Sequence, residues 1–510
     1  MKFFKNISQQ QKDYYSYRFL ELIPGSMVWF TFIFIVVLSF INPIAGIYFI
    51  IAFDVYWILR ILYMLLFLLI SWFKYRRAIK TDWWKKLKEE CPQWSEYYHL
   101  VFLPTAGEPF EIVDTTFHNL TQVKYDTKKM IVILAGEGRF EEQFLSIAKQ
   151  IENKYQSAFY KIIITIHPDN IEGEVKGKGS NLYHAGHEVK KYIDQNNLDY
   201  KKLIVSSFDI DTITHPDYFS YLSYKFINHP DPYHASFQPM AFYNNNVWES
   251  DIITRVVANS TTFWLLTELA RPSRLFTFSS HSMSWQALVD IGFWQNNIVT
   301  EDSRIFIQCL IHYEGNYKVE PMHIPVSMNT VYVGSLWRSL KNQYKQMRRW
   351  AWGVEHFPYM VWNFRRHPKI SRHTKIRYIW NQTEGVYCWA TAPFIITIMG
   401  YLPLKLAEIR SLSTVVAQNT PLLLETLMRS GMIGIVILAI MGVVILPPMP
   451  VSIKKNPLSK YYRYPLMFLQ WLIIPFTMIA FGSIPAIDAQ TRLLFGKYLG
   501  FWVTEKKKTN

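Results

Sequence analysis

The hydrophobic positions divide the chain into three regions. An apolar run from Ile23 to Ile41 is interrupted by Asn42-Pro43 and resumes from Ile44 to Phe73. Each run is long enough to cross a hydrocarbon core, which takes about 20 residues. From Lys80 to about Thr374 no run is long and apolar enough to span. Short β-rich runs alternate there with amphipathic stretches. Strands are predicted at His99–Pro104, Lys129–Leu134, Tyr160–His167 and Leu203–Phe208. Helices are predicted at Phe110–Leu120, Arg139–Tyr155, Asn181–Gln195 and Ser303–His312. Strands alternating with helices predict βαβ units and a mainly parallel sheet, hence an α/β fold with ligands at the carboxyl ends of the strands. The last third is apolar again at Tyr387–Leu404, Met432–Leu446 and Leu466–Ile487. The expected organisation is a membrane hairpin over 1–80, a catalytic domain over 81–334, interfacial helices over 335–380 and a second membrane region over 381–510. The segment Ser335–Phe364, rich in Trp, Tyr and Arg, suits helices lying at a bilayer surface.

Charge sharpens the membrane reading. The net charge is +15, and Lys74, Arg76, Arg77 and Lys80, then Lys454, Lys455, Lys460 and Arg463, flank apolar runs. Basic flanks fit an anionic cytoplasmic leaflet and place the central domain in the cytosol of a multi-pass cell-membrane protein. No basic stripe with interleaved aromatics stands apart from these flanks, so no nucleic-acid partner is expected. Cys91, Cys309 and Cys388 are far apart and show neither metal-ligand nor disulfide spacing. Met1–Arg18 is too polar for a cleavable signal peptide. Asp54 and Arg60 inside the second run are either a polar lining for a product path or an ion pair.

Three short motifs carry candidate chemistry. In Ser206–Asp211 (SSFDID) a hydrophobic strand ends in Asp209 and Asp211. Carboxylates so placed can hold Mg²⁺ or Mn²⁺ against a nucleotide diphosphate, or merely end a strand or cap the helix near His215-Pro216. Thr300-Glu301-Asp302 offers a carboxylate base for an acceptor hydroxyl, or an acidic N-cap for the following helix. Gln346-Met347-Arg348-Arg349-Trp350 sets an aromatic ring beside cations, which suits a sugar face and a diphosphate, or a snorkelling interfacial helix.

Taken in this order within membrane-flanked α/β sequence, Asp209-x-Asp211, Thr300-Glu301-Asp302 and Gln346-x-x-Arg349-Trp350 resemble the family 2 glycosyltransferases. Within them they are similar to the processive synthases of cellulose, chitin and hyaluronan. The resemblance covers roughly Tyr98 to Phe357. It implies an A-type glycosyltransferase fold and an inverting mechanism. By the same resemblance Asp211 binds metal with Asp209 nearer the donor, Asp302 is the catalytic base, and Gln346, Arg349 and Trp350 hold diphosphate and acceptor. The turn Pro104–Glu108, with Thr105 and Glu108, is similar to the family's nucleotide-binding turn. Where the family usually has an Asp that reads the base, Glu137 is expected to substitute. Gly177–Asn181 is similar to its Lys and Asn loop, which assigns Lys178 and Asn181 to the donor. His281, in Phe278–Met283, and Glu301 fall on the acceptor or diphosphate side, although Phe278–Met283 lacks the Cys-rich signature of cellulose synthases. The stretch Pro485–Gln490 through Phe501–Lys506 resembles the tails of membrane members and implies a surface helix.

The expected function is metal-dependent transfer of a sugar from a nucleotide-diphosphate donor, with UDP-sugars favoured, to a growing polysaccharide at the lipid bilayer. One alternative is single transfer to a lipid-linked acceptor. Others are a transporter or channel, supported only by the intramembrane charges, and a binding-only pseudoenzyme. Topology follows from the basic clusters. Two crossings before the domain and two at Tyr387–Leu404 and Met432–Leu446 keep every cluster cytosolic. A crossing by Leu466–Ile487, broken by Pro475 and Pro485, would leave Lys506, Lys507 and Lys508 outside. The expectation is therefore re-entry, or failure of the rule at this point. Labelling of Thr509→Cys from outside intact cells separates them: protection means re-entry, and reaction means a crossing against the rule.

Overall fold

The computed structural model describes residues 9–411, 415–450 and 459–500. Lys454, Lys455, Phe501–Lys506 and Thr509 lie outside them. The described residues form two compact units, one comprising 67–342 with 446–450, the other 9–66, 343–411, 415–445 and 459–499.

The first unit is built on an eight-stranded sheet of β1 (Tyr98–Pro104), β2 (Met130–Glu137), β3 (Lys161–His167), β4 (Leu203–Ser207), β5 (Ile213–Thr214), β6 (Ala235–Tyr243), β7 (Ser282–Ser284) and β8 (Lys318–Met328). The order is β3-β2-β1-β4-β7-β6-β8-β5. β1 to β4 pair in parallel, β7 runs antiparallel to both β4 and β6, β8 is parallel to β6, and β5 is antiparallel to β8. The first strands are near-continuous Val, Ile and Leu runs because helices cover both faces of a parallel sheet. Every residue of β2 is buried. The connecting helices Phe110–Thr121, Glu141–Tyr155 and Lys178–Gln195 supply that cover with Phe117, Leu120, Phe144, Ile151, Leu182 and Val189.

The four predicted strands and the helices between them are present. The predicted helix over Arg139–Tyr155 starts at Glu141, because Gly138–Phe140 forms a 3₁₀ turn, and the helix expected from Asn181 begins earlier, at Lys178. The chain leaves β1 toward β2 on one side and continues to β4 on the other, so the order reverses between β1 and β4. Loops part at such a point and open a crevice at the carboxyl ends. Thr105–Glu108 follow β1 and Asp209–Asp211 follow β4, on either side of it.

In the second unit the helix Ile484–Leu494 is held by polar ties. Arg18 donates to the carbonyl of Leu493 at 2.6 Å and to that of Leu494, Trp29 to Thr491 Oγ1 at 3.0 Å, and Gln490 Nε2 to the Val386 carbonyl at 2.9 Å. Arg60 forms an ion pair with Glu384, and Tyr56 O–H donates to the same carboxylate at 3.0 Å. A charge in an apolar helix needs such a partner, so the ion-pair reading of Arg60 fits the contacts; Asp54 Oδ1 is buried without a hydrogen bond. Among the described residues, four helices, Gln10–Ile41, Pro43–Ala78, Arg372–Ile409 and Tyr461–Leu494, are long and apolar enough to cross a membrane, and the apolar helix Ile433–Val444 is shorter. Tyr461–Leu494 is interrupted by a 3₁₀ turn at Gln470–Ile473 and a π turn at Met478–Ser483. Pro475 and Pro485, which lack a backbone N–H, lie beside these irregularities.

A buried histidine ties the sheet to pH. His99 in β1 is fully buried, with Nε2 2.8 Å from Ser223 Oγ, and burial pushes its pKa down to about 3. The native state therefore keeps it neutral, while the unfolded chain protonates it near its ordinary value of about 6.5. Stability must fall as pH drops below about 6.5, by roughly 2 kcal/mol at pH 5 from this group. Melting curves at pH 7 and pH 5 should show a smaller acid-induced loss in His99→Gln than in the native sequence.

Candidate active site

The site assembles around one ammonium group. Lys178 is the first residue of its helix and follows Gly177, whose φ of 151° lies where a side chain is disfavoured. Its buried Nζ donates to Asp209 Oδ1 at 2.9 Å and to both oxygens of Asp302 at 2.9 Å, and lies 3.8 Å from Glu301 Oε1. Burial lowers the affinity of Lys178 for its proton, but Asp209, Asp302 and Glu301 outweigh that effect and hold its pKa above the ordinary lysine value. The Asp-x-Asp and Thr-Glu-Asp motifs, distant in sequence, thus meet at one cation.

The neighbours fix these acids. Ser279 Oγ donates to Asp209 Oδ2 at 2.7 Å. Ser279 reaches it because β7 pairs antiparallel with β4, joining the Ser207 N–H to the His281 carbonyl at 3.0 Å. Asp211 is buried; its Oδ2 accepts the Asn329 N–H at 3.2 Å, and Asn245 Nδ2 donates to its carbonyl at 3.2 Å. Neither Asp209 nor Asp211 caps the helix Tyr218–Ile227, whose N-cap position is Asp217. Thr300 stands at the N-cap of Glu301–His312, but its side chain makes no capping bond.

His281 is buried and its pKa is lowered, chiefly by burial, so it is neutral near pH 7. Its Nδ1 donates to the Phe278 carbonyl at 3.0 Å and lies 3.9 Å from Asp302 Oδ1, while Nε2 is buried without a hydrogen bond. At the end of β1, Glu108 Oε2 accepts from Thr105 Oγ1 at 2.7 Å and from the Ala106 N–H at 2.6 Å, closing a turn through Gly107 at φ 84°. At the end of β2, Glu137 pairs with Arg139 at 2.6 Å. Burial raises the pKa of Glu137 more than Arg139 lowers it. Asn181 Nδ2 donates to the Ala135 carbonyl at 2.8 Å, tying the Lys178 helix to β2 and leaving Oδ1 buried without a hydrogen bond.

The α/β unit therefore brings Lys178, Asp209, His281, Glu301 and Asp302 together. Gln346, Arg349 and Trp350 belong to the other unit, on the helix Leu336–Ala351. Sequence reasoning missed Ser279 as a partner of Asp209, although it lies within the quoted segment Phe278–Met283. It also missed Asn245 and Asn329, which carry no motif.

Among the described residues, no group of three or more His, Cys, Asp and Glu side chains could hold a metal ion alone. Asp209 and Asp211 are hard oxygen donors. They suit Mg²⁺ or Mn²⁺ only together with oxygens from a diphosphate, a common arrangement for Mg²⁺ in nucleotide sites.

The sheet is Rossmann-like and mostly parallel, and Asp209 and Asp211 follow the carboxyl end of β4. The chain belongs to Glycosyl transferase family group 2, which it matches over residues 204–483, more than half its length. Its fold is similar to that of the mannosyltransferase PcManGT from Pyrobaculum calidifontis, solved with GDP-Man and Mn²⁺, at 14% identity over 88% of this chain and 100% of that one, with a TM-score of 0.47. It is also similar to S. aureus TarS 1-349 solved with UDP-GlcNAc, at 12% identity over 66% of this chain and 92% of that one, with a TM-score of 0.31. A search of curated protein sequences finds no match.

Gly179 sets the fit of this cluster. A Cβ there would lie 2.8 Å from the Gln295 carbonyl oxygen and 3.3 Å from Glu301 Cβ, so backbone must move. Gly179→Ala is expected to cost about 1–3 kcal/mol and to weaken nucleotide binding by displacing Lys178. Melting temperature and nucleotide affinity, measured together, check both effects.

Proposed function

We propose that the enzyme transfers a sugar, with inversion, from a nucleotide-diphosphate sugar, a UDP-sugar foremost, to the end of a growing polysaccharide at a membrane. The observation that carries the reading is the meeting of Asp209, Glu301 and Asp302 at Lys178. Asp302 takes the proton of the acceptor hydroxyl. The acceptor oxygen bonds to the anomeric carbon as the bond from that carbon to the phosphate oxygen breaks, and the electron pair leaves with the nucleoside diphosphate. A single displacement with one base gives inversion.

Thr105, Glu108, Glu137, Lys178, Asn181 and Asp209 form the donor side. His281, Glu301, Gln346, Arg349 and Trp350 serve acceptor or diphosphate, the last three on the strength of the motif. Asp211 with Asp209 would hold Mg²⁺ or Mn²⁺, which when bound offsets the diphosphate's charge.

Lys178 gives the order of events. Without donor, its ammonium is the counter-ion of Asp302. A diphosphate competes for that ammonium, and as Lys178 turns to it, Asp302 is freed to act as base. The base is thus available chiefly when a donor is present.

Polymer synthesis needs a surface that holds the product end while the next donor binds. Trp350 suits this, because an aromatic face covers the apolar face of a pyranose and Gln346 can hydrogen-bond its hydroxyls.

The test is purified protein with UDP-, GDP- and dTDP-sugars and Mn²⁺, scoring nucleotide release and sizing radiolabelled product. Turnover of a UDP-sugar into polymer is expected. Asp302→Asn should keep donor binding while transfer falls by roughly 100-fold to 10,000-fold. Trp350→Ala should stop elongation while slow donor hydrolysis continues. Exclusive formation of a one-sugar lipid would replace polymer synthesis with single transfer to a lipid.

A further inference from the structure

The stretch around Asp488 has no part in the chemistry above, yet it makes several polar contacts with the helix that bears Gln346, Arg349 and Trp350. Asp488 Oδ2 accepts from Tyr344 O–H at 3.0 Å and from Arg348 Nη1 at 2.9 Å, and its Oδ1 accepts from Arg492 Nε at 2.7 Å. A carboxylate engaged on both oxygens by two guanidinium groups and a phenol holds direction as well as charge.

Successive residues of a helix are turned by roughly 100°. Tyr344 and Arg348, one turn apart, share a face. Gln346, Arg349 and Trp350 fall on the opposite one. The gripping residue also sits on a fixed base, because its own helix, Ile484–Leu494, is tied to Arg18, Trp29 and Val386.

We propose that Asp488 is a positioning residue for sugar transfer: it clamps the helix Leu336–Ala351 through Tyr344 and Arg348 and so fixes the direction in which Gln346, Arg349 and Trp350 are presented. The inference rests on the role proposed above for those three residues. It assigns a task to a tail segment that the sequence marks only by resemblance. Asp488 itself touches no substrate. Its loss lets the helix rotate or shift, and a displacement near 1 Å can cost about 100-fold in a positioned reaction.

The experiment uses the full-length protein in lipid nanodiscs and compares sugar transfer with donor hydrolysis in the absence of acceptor. Asp488→Asn should lower transfer by at least about tenfold and hydrolysis by much less. Arg348→Gln should do the same, the double variant should be no worse than either single one, and Asp488→Glu should recover part of the loss. Transfer at the native rate in Asp488→Asn overturns the clamp. So does equal loss of transfer and hydrolysis, the mark of a merely structural role, and so do additive losses in the double variant. If Asp488→Asn does not fold, Tyr344→Phe/Arg348→Gln removes two contacts and keeps the Asp488–Arg492 bond, and native transfer in that protein overturns the clamp equally. Trp350→Ala separates this inference from its premise. Native transfer in that variant refutes the role of the motif, whereas an inactive Trp350→Ala beside a native Asp488→Asn refutes the clamp alone.

Discussion

The catalytic unit depends on the balance between one buried ammonium and three carboxylates. Asp209, Glu301 and Asp302 come from two segments far apart in sequence, and without a cation between them their mutual repulsion would push those segments apart. Lys178 supplies that cation from the first turn of a helix whose position is set by β3 and by the bond from Asn181 to β2. Gly179 lets the chain around Gln295 and Ile298 come close enough for the segment carrying Glu301 and Asp302 to reach the ammonium. Sheet order does the rest. Because β7 runs antiparallel beside β4, Ser279 and His281 are delivered to the same point.

A different economy governs the helical unit. Apolar side chains such as Ile35, Ile50 and Ile395 pack its long helices together, and polar contacts add direction. Arg60 with Glu384, Thr31 with Tyr387, and Arg18 with the carbonyls closing Ile484–Leu494 each join helices distant in sequence. In a low-dielectric setting such bonds are costly to leave unmade, which makes them specific as well as stabilising. The contacts around Asp488 belong to the same set, and they reach the helix of Gln346 and Trp350.

Much of the α/β unit was legible in the sequence, because buried parallel strands leave continuous Val, Ile and Leu runs and their crossover helices keep a helical period. Met130–Glu137 and Lys161–His167 are examples. The later strands were not. β7 has three residues and β5 two, too short for a period, and β8 contains Pro321 and Pro325, which disguise it. At the site, the acids could be read from Asp-x-Asp and Thr-Glu-Asp. Their common partner could not, since nothing local to Gly177-Lys178-Gly179 says which carboxylates it faces. Glu384 as the partner of Arg60 and Asp488 as the partner of Arg348 were hidden for the same reason: long-range pairs leave no periodic trace.

The same lysine that lets the acids coexist also occupies Asp302, the base of the proposed mechanism. Asp302 gives both oxygens to Lys178. If Lys178 were absent, the base would be exposed but the acid cluster would lack a counter-ion. If it were fixed to the acids, the cluster would be stable but idle. The role proposed for Asp302 calls for a state between these limits, in which the ammonium leaves the carboxylate only when another anion is offered. Under the proposed mechanism a diphosphate is such an anion, and donor arrival and release of Asp302 become one electrostatic exchange.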